Sequence, residues 1–86
     1  MKTYRAEYKF KYLIEEFDYV RETEHFITVS KNGRETRESK ESDGHRYFTK
    51  FNDAKEWVMS MIDLQIKNIQ TKIDRLKSEK QKVNNL

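Results

Sequence analysis

The residues most able to do chemistry in this chain are its two histidines, and neither stands in a catalytic or ligand pattern. His25 has Glu22 and Glu24 nearby, and His45 has Asp43 and Glu41. A metal site needs donors spaced so that they share one face of a defined element, and neither group has that spacing. Both therefore read as ordinary surface histidines. Glu15 and Glu16 are adjacent, so on a strand they face opposite sides and cannot act as an acid–base pair. Gly33 and Gly44 are the only glycines, which leaves no loop to cradle a phosphate. No Ser, His and Asp arrangement stands out. The sequence predicts no catalytic residue, no metal and no cofactor, and hence a protein that is not an enzyme.

Binding chemistry is better represented. Lys31, Arg34, Arg37, Lys40, Arg46 and Lys50, with Tyr47 and Phe48, make a basic hairpin carrying aromatics. Such a finger can hold phosphates and stack on bases. Glu35, Glu38, Glu41 and Asp43 oppose four of its six charges, which favours a solvated hairpin over a nucleic-acid footprint. Lys31, Arg34, Arg37, Lys40, Arg46 and Tyr47 are the candidate contact residues, with a protein partner favoured over nucleic acid. Further on, Lys67, Lys72, Arg75, Lys77, Lys80 and Lys82 outnumber Asp74 and Glu79. They point all round a helix and form no basic stripe.

The strongest pattern is apolar. Met59, Ile62, Ile66, Ile69, Ile73, Leu76 and Val83 recur at heptad spacing, with Lys80 filling the one gap. Met59, Ile66, Ile73 and Lys80 take the a position; Ile62, Ile69, Leu76 and Val83 take d. No proline or glycine interrupts the run, which predicts a helix from Asn52 to about Asn84. At 1.5 Å per residue it would be roughly 50 Å long, too long for the body that the remaining residues can build. Its first half carries a second stripe of Ala54, Trp57, Met61 and Leu64. That stripe is expected to cover a sheet, and the seam to meet another chain. Lys72 would oppose Lys77 in a parallel pair, whereas Asp63 would approach Lys77 in an antiparallel one. A homo-oligomer follows, with a dimer and antiparallel helices favoured.

The elements before the helix read as strands. Tyr4, Ala6, Tyr8, Phe10, Tyr12 and Ile14 alternate with Arg5, Glu7, Lys9 and Lys11, which predicts one strand with an aromatic face from Tyr4 to Ile14. Tyr8 and Tyr12 are expected in the core. Glu15 to Glu24 fits a wide turn, a helical turn or the start of a second long strand; it is read as a connection followed by a strand from about Thr23 to Lys31. Asn32-Gly33 predicts a two-residue type I′ hairpin that sets Lys31 against Arg34, Val29 against Thr36 and Ile27 against Glu38. The returning arm is polar on both faces and reads as an edge strand. Ser42-Asp43-Gly44 turns the chain into a short strand from His45 to Thr49. Asn52 is the expected helix N-cap.

These elements define one α+β domain of 86 residues. Residues 1–50 form an antiparallel sheet of three to four strands. Residues 51–86 form the long helix, whose distal half oligomerises. Charged residues are 38% of the chain against 35% hydrophobic, so a long helix needs a partner surface to be worth ordering. There is no cysteine, and no apolar run serves as a signal or membrane span, which fits a cytoplasmic protein.

The segment Arg46-Tyr47-Phe48-Thr49-Lys50-Phe51-Asn52-Asp53-Ala54-Lys55-Glu56-Trp57 resembles a pattern common in short phage and mobile-element accessory proteins of the anti-CRISPR sort. There a strand ending in an aromatic runs into a helix opened by an acidic residue and Ala-Lys. The resemblance implies a non-enzymatic inhibitor or adaptor that occupies a host macromolecular machine, in the cytoplasm of a host cell. The alternatives are a nucleic-acid-binding protein using the hairpin and helix tail, and a small assembly protein.

Overall fold

The alternation from Tyr4 to Ile14 belongs to two strands rather than one. In the computed structural model, which describes residues 1–86, β1 spans Lys2–Glu7 and β2 spans Leu13–Glu22. They pair antiparallel with Ala6 opposite Ile14 and Glu7 opposite Leu13. In this register even-numbered residues face even-numbered residues, so the apolar parity passes through the reversal unchanged. That is why the pattern mimics a single strand. The loop between them puts Phe10 94% and Tyr12 53% into solvent, so Tyr12 is not a core residue. Tyr8 does pack, edge-on to Trp57 at 5.2 Å between ring centres.

Glu15 to Glu22 is strand rather than connection. β2 pairs with β1 on one side and with β3 (Phe26–Lys31) on the other, with a bulge between Tyr19 and Arg21. The reversal into β3 is tight. Thr23 closes it, its backbone N–H donating to the Phe26 carbonyl at 2.8 Å and its hydroxyl accepting from Phe26 N–H at 3.2 Å.

The Asn32-Gly33 turn forms as its chemistry requires, with positive φ of 54° and 79°. β4 (Arg34–Ser39) returns against β3 with Lys31 opposite Arg34, Val29 opposite Thr36 and Ile27 opposite Glu38, as expected. β5 (His45–Phe48) pairs with β1, giving a five-stranded antiparallel sheet in the order β4-β3-β2-β1-β5. One strand more than the expected three to four is present because β1 and β2 are separate. The sheet is curled until its ends meet. Tyr47 N–H donates to the Lys40 carbonyl at 3.0 Å, and Glu41 bridges to Arg46. The β4 edge is therefore capped at its end by β5.

α1 spans Phe51–Asn84. Its N-cap is Lys50, in extended conformation and without a side-chain cap bond. The expected cap, Asn52, is already helical, because the backbone bond from Ala54 N–H to the Lys50 carbonyl starts the helix earlier. The core lies where α1 crosses β1 and β5. Ala6 and Ala54 are fully buried, and two alanines in contact let helix and sheet approach closely. Val58 completes the centre, ringed by Tyr4, Ile14, Phe48, Trp57 and Ile62. The helix is thus turned roughly 50° from the expected stripe towards the seam, at 100° per residue. Val58 and Ile62 are gained, and Leu64 is left 49% exposed. From Asp63 onward every residue is exposed, so the helix leaves the body before the second stripe ends at Leu64. The molecule is 66 Å long and only 22 Å wide.

Candidate functional site

Three groups of side chains compete for the role of functional surface. The first is the helical arm beyond Ile62. Ile66, Ile69, Ile73, Leu76 and Val83 are 44–67% exposed along it, and Met59, at the level of the body, is 54% exposed. Ile62 departs from its predicted role, being half-buried against the chain's own core. The heptad spacing keeps the remaining side chains on one seam, and from Ile66 to Leu76 they form an apolar strip that Lys80 separates from Val83. The arm's cations surround the strip, and among them only Lys82 is paired, with Glu79 at 3.4 Å.

The second group is the basic hairpin. The fold spreads its residues over both ends of the β3–β4 hairpin, Lys31 and Arg34 at the turn and Lys40, Arg46 and Tyr47 at the opposite end, and gives most of them partners. Lys31 pairs with Glu15 at 3.0 Å, Lys40 with Glu22 at 2.6 Å and Arg46 with Glu41 at 2.7 Å. The Arg37 guanidinium lies over the Phe26 ring, 4.1 Å from its centre, a stacked arrangement that suits a planar cation. Tyr47 is half-buried and donates its hydroxyl to Glu38 at 2.5 Å. Arg34 at the turn and Lys50 beside the helix start keep exposed heads with no partner. The expected cancellation by Glu35, Glu38 and Asp43 takes a different form. Glu35 faces Arg21 at 3.5 Å, Glu38 faces Arg5 at 2.5 Å and Asp43 faces Lys9 at 3.4 Å.

The third group was not visible in the sequence. On the face of the sheet away from α1, the curl gathers Arg5, Glu7, Glu38, His45 and Tyr47. The Arg5 guanidinium donates to Glu38 and to Glu7. His45 is buried at 8% exposure rather than on the surface. Its Nε2 bonds the Ser39 carbonyl at 2.8 Å, so Nδ1 is left to accept from the Ser42 hydroxyl at 2.7 Å. The same hydroxyl accepts from Gly44 N–H at 3.2 Å, which makes Ser42 the brace of its turn. Burial alone would raise the Glu38 pKa, but the hydrogen bonds from Arg5 and Tyr47 outweigh it and hold the carboxyl below its ordinary value. Burial and the Glu38 carboxylate together push the Tyr47 hydroxyl well up. Every member of this cluster is satisfied, and no buried side-chain polar atom in the chain lacks a partner. A closed set of hydrogen bonds of this kind fixes shape. It holds the two ends of the sheet together.

His25 lies exposed beside Glu24 at 3.9 Å, as its surface reading expects. No group of three or more His, Cys, Asp or Glu is placed to hold a metal ion. No helix is long and apolar enough to cross a membrane. Compared with protein-family models, with characterised proteins and with solved structures, the chain shows no match.

Proposed function

We propose that this chain is a non-enzymatic binding protein, an inhibitor or adaptor that self-associates through its helical arm and occupies a macromolecular partner. The observation that carries the reading is the arm itself. Residues 63 to 86 contribute nothing to the body's core, yet they carry Ile66, Ile69 and Ile73 into solvent on one seam. A stripe of β-branched side chains on an otherwise charged helix is disfavoured unless a partner covers it. The body then supplies what the dimer presents. Arg34 at the hairpin tip is the unpaired cation there, and opposite charge at a contact guides partner choice. The resemblance of Arg46–Trp57 to short phage accessory proteins points towards a component of a host machine as that partner.

A protein partner is favoured over nucleic acid because Lys31, Lys40 and Arg46 are held by carboxylates of the same chain. Phosphate binding would have to displace those carboxylates first. The nucleic-acid reading keeps one supporting observation, the unpaired cations of the arm. The test compares wild type with Arg34→Glu as immobilised bait in nuclease-treated host lysate. In parallel, each is titrated with a labelled single-stranded and a duplex oligonucleotide at 50 and 200 mM salt. The reading expects a protein captured by wild type and lost with Arg34→Glu. Steeply salt-dependent oligonucleotide binding without protein capture would favour the nucleic-acid alternative. Self-association with neither would leave assembly as the whole function.

A further inference from the structure

We propose that the arm's seam is covered by a second copy of this chain, laid antiparallel, with Ile69 set against Ile73 of the partner subunit. This rests on the self-association reading above and adds the direction and register of the two arms. The argument begins with which seam residues the fold leaves free. Ile62 is half-buried against its own sheet. Ile66, Ile69, Ile73 and Leu76 are 49, 57, 44 and 60% exposed. These four are symmetric about Thr71. A copy running the other way therefore brings Ile66 to Leu76 and Ile69 to Ile73, and each pairing occurs twice. The result is an unbroken apolar run in which every layer joins an a residue to a d residue.

The layers flanking that run fit as well. Ile62 falls opposite Lys80. Because its own sheet covers part of it, Ile62 offers only a partial apolar surface. A lysine stem can lie on that surface while its ammonium reaches water beside the partner's body. Met59 then falls opposite Val83, both more than half exposed. In a parallel pair Lys80 would instead face Lys80 inside the seam, where like charges are costly to bury.

The flanking charges discriminate further. In the antiparallel register Asp63 approaches Lys77 of the partner subunit, and symmetry makes two such pairs. The one like-charged approach is Lys72 to its own copy at the centre. A parallel pair would place Lys72 beside Lys77 twice and create no attractive pair. Lys72, Lys77 and Asp63 have no partner within the chain, so all are free to take these roles.

The test is a charge exchange followed by sedimentation equilibrium of the full chain at low salt. Lys77→Asp alone and Asp63→Lys alone should each weaken dimerisation roughly tenfold, because attraction turns to repulsion at two symmetric pairs. The double exchange should return to within about threefold of wild type, by the same pairwise logic. Both residues lie on the arm outside the core, and unchanged Trp57 fluorescence will show that the body stays folded. Tighter association of Lys77→Asp would overturn the proposal, since a parallel pair is relieved by that change. So would a trimeric or tetrameric wild type. A wild type that stays monomeric would remove the self-association reading itself, a failure distinct from an error of direction.

Discussion

Arg5 on β1 and Glu38 on β4 have two whole strands, β2 and β3, between them in the sheet, yet the Arg5 Nε donates to a Glu38 oxygen across 2.5 Å. In a flat sheet three strand spacings would separate them by roughly 14 Å. The bond exists because the sheet curls until β5 meets the end of β4. Arg5, Glu38 and Tyr47 then lock that closure. The body of this protein is thus held by two different devices. An alanine-centred apolar core lies under the helix, and a polar clasp lies on the opposite face.

Glu38→Gln should destabilise the body by about 1–3 kcal/mol. The value is set below that of a fully buried pair because both side chains keep some solvent access. The substitution keeps the volume but removes the charge that Arg5 and Tyr47 share. A thermal melt of the variant checks this, with a fall in Tm of several degrees expected for a domain of this size.

The same clasp predicts an acid response. The folded Glu38 carboxyl lies below its ordinary value near 4.5. A depressed folded pKa contributes stability that is fully present above 4.5 and lost as the pH falls through the folded value. Wild type should therefore lose Tm steeply below about pH 4.5, and Glu38→Gln should lose less over that interval. Tyr47 acts in the other direction. Its folded pKa is raised above the ordinary 10.0. Its contribution is present below pH 10 and is lost as the pH rises through the folded value. Melts across both ranges, in wild type and in Tyr47→Phe, measure the two effects separately.

Trp57→Ala should lower stability by about 2–4 kcal/mol. Full burial would place it at the upper end of the range for aromatic truncation, and Trp57 is only half-buried. The ring lies between Phe48 at 5.8 Å and Tyr8 at 5.2 Å, so its loss would open the side of the core beside Val58. A denaturant midpoint close to that of wild type would show that Val58 and the two alanines carry the helix–sheet contact alone.

The elements that were legible in the sequence are those specified by neighbouring residues. Asn32-Gly33 dictates a hairpin turn, and the pairings of Lys31, Val29 and Ile27 follow by counting outward from it. The heptad run dictates a long helix, and its second stripe, ending at Leu64, runs two residues past Ile62, the last residue packed on the body. What could not be read depends on contacts far apart in the chain. Period-two alternation cannot distinguish one strand from two when the turn preserves parity, as it does between Ala6 and Ile14. The curl of the sheet has no local signal, so Arg5, Glu38 and Tyr47 looked like unrelated surface groups. His45 looked exposed because its burial comes from Ser39 and Ser42 closing over it. Val58 was missed because the packing of Ala6 on Ala54, and not the helix pattern, sets the rotation of α1. Among the candidate hairpin residues, Lys31 and Lys40 are held by Glu15 and Glu22 of β2, a strand that the expected connection hid.

If the seam of the arm is an interface, molar mass in solution, read by light scattering, will show it. Wild type should show twice the 10.5 kDa of the chain. Ile69→Asp combined with Ile73→Asp puts charge into the middle of the seam and should reduce the mass to that of one chain. The body should melt as before, because neither residue touches the core. A wild type of 10.5 kDa, or a double variant whose mass is unchanged, would show that the seam is not the interface.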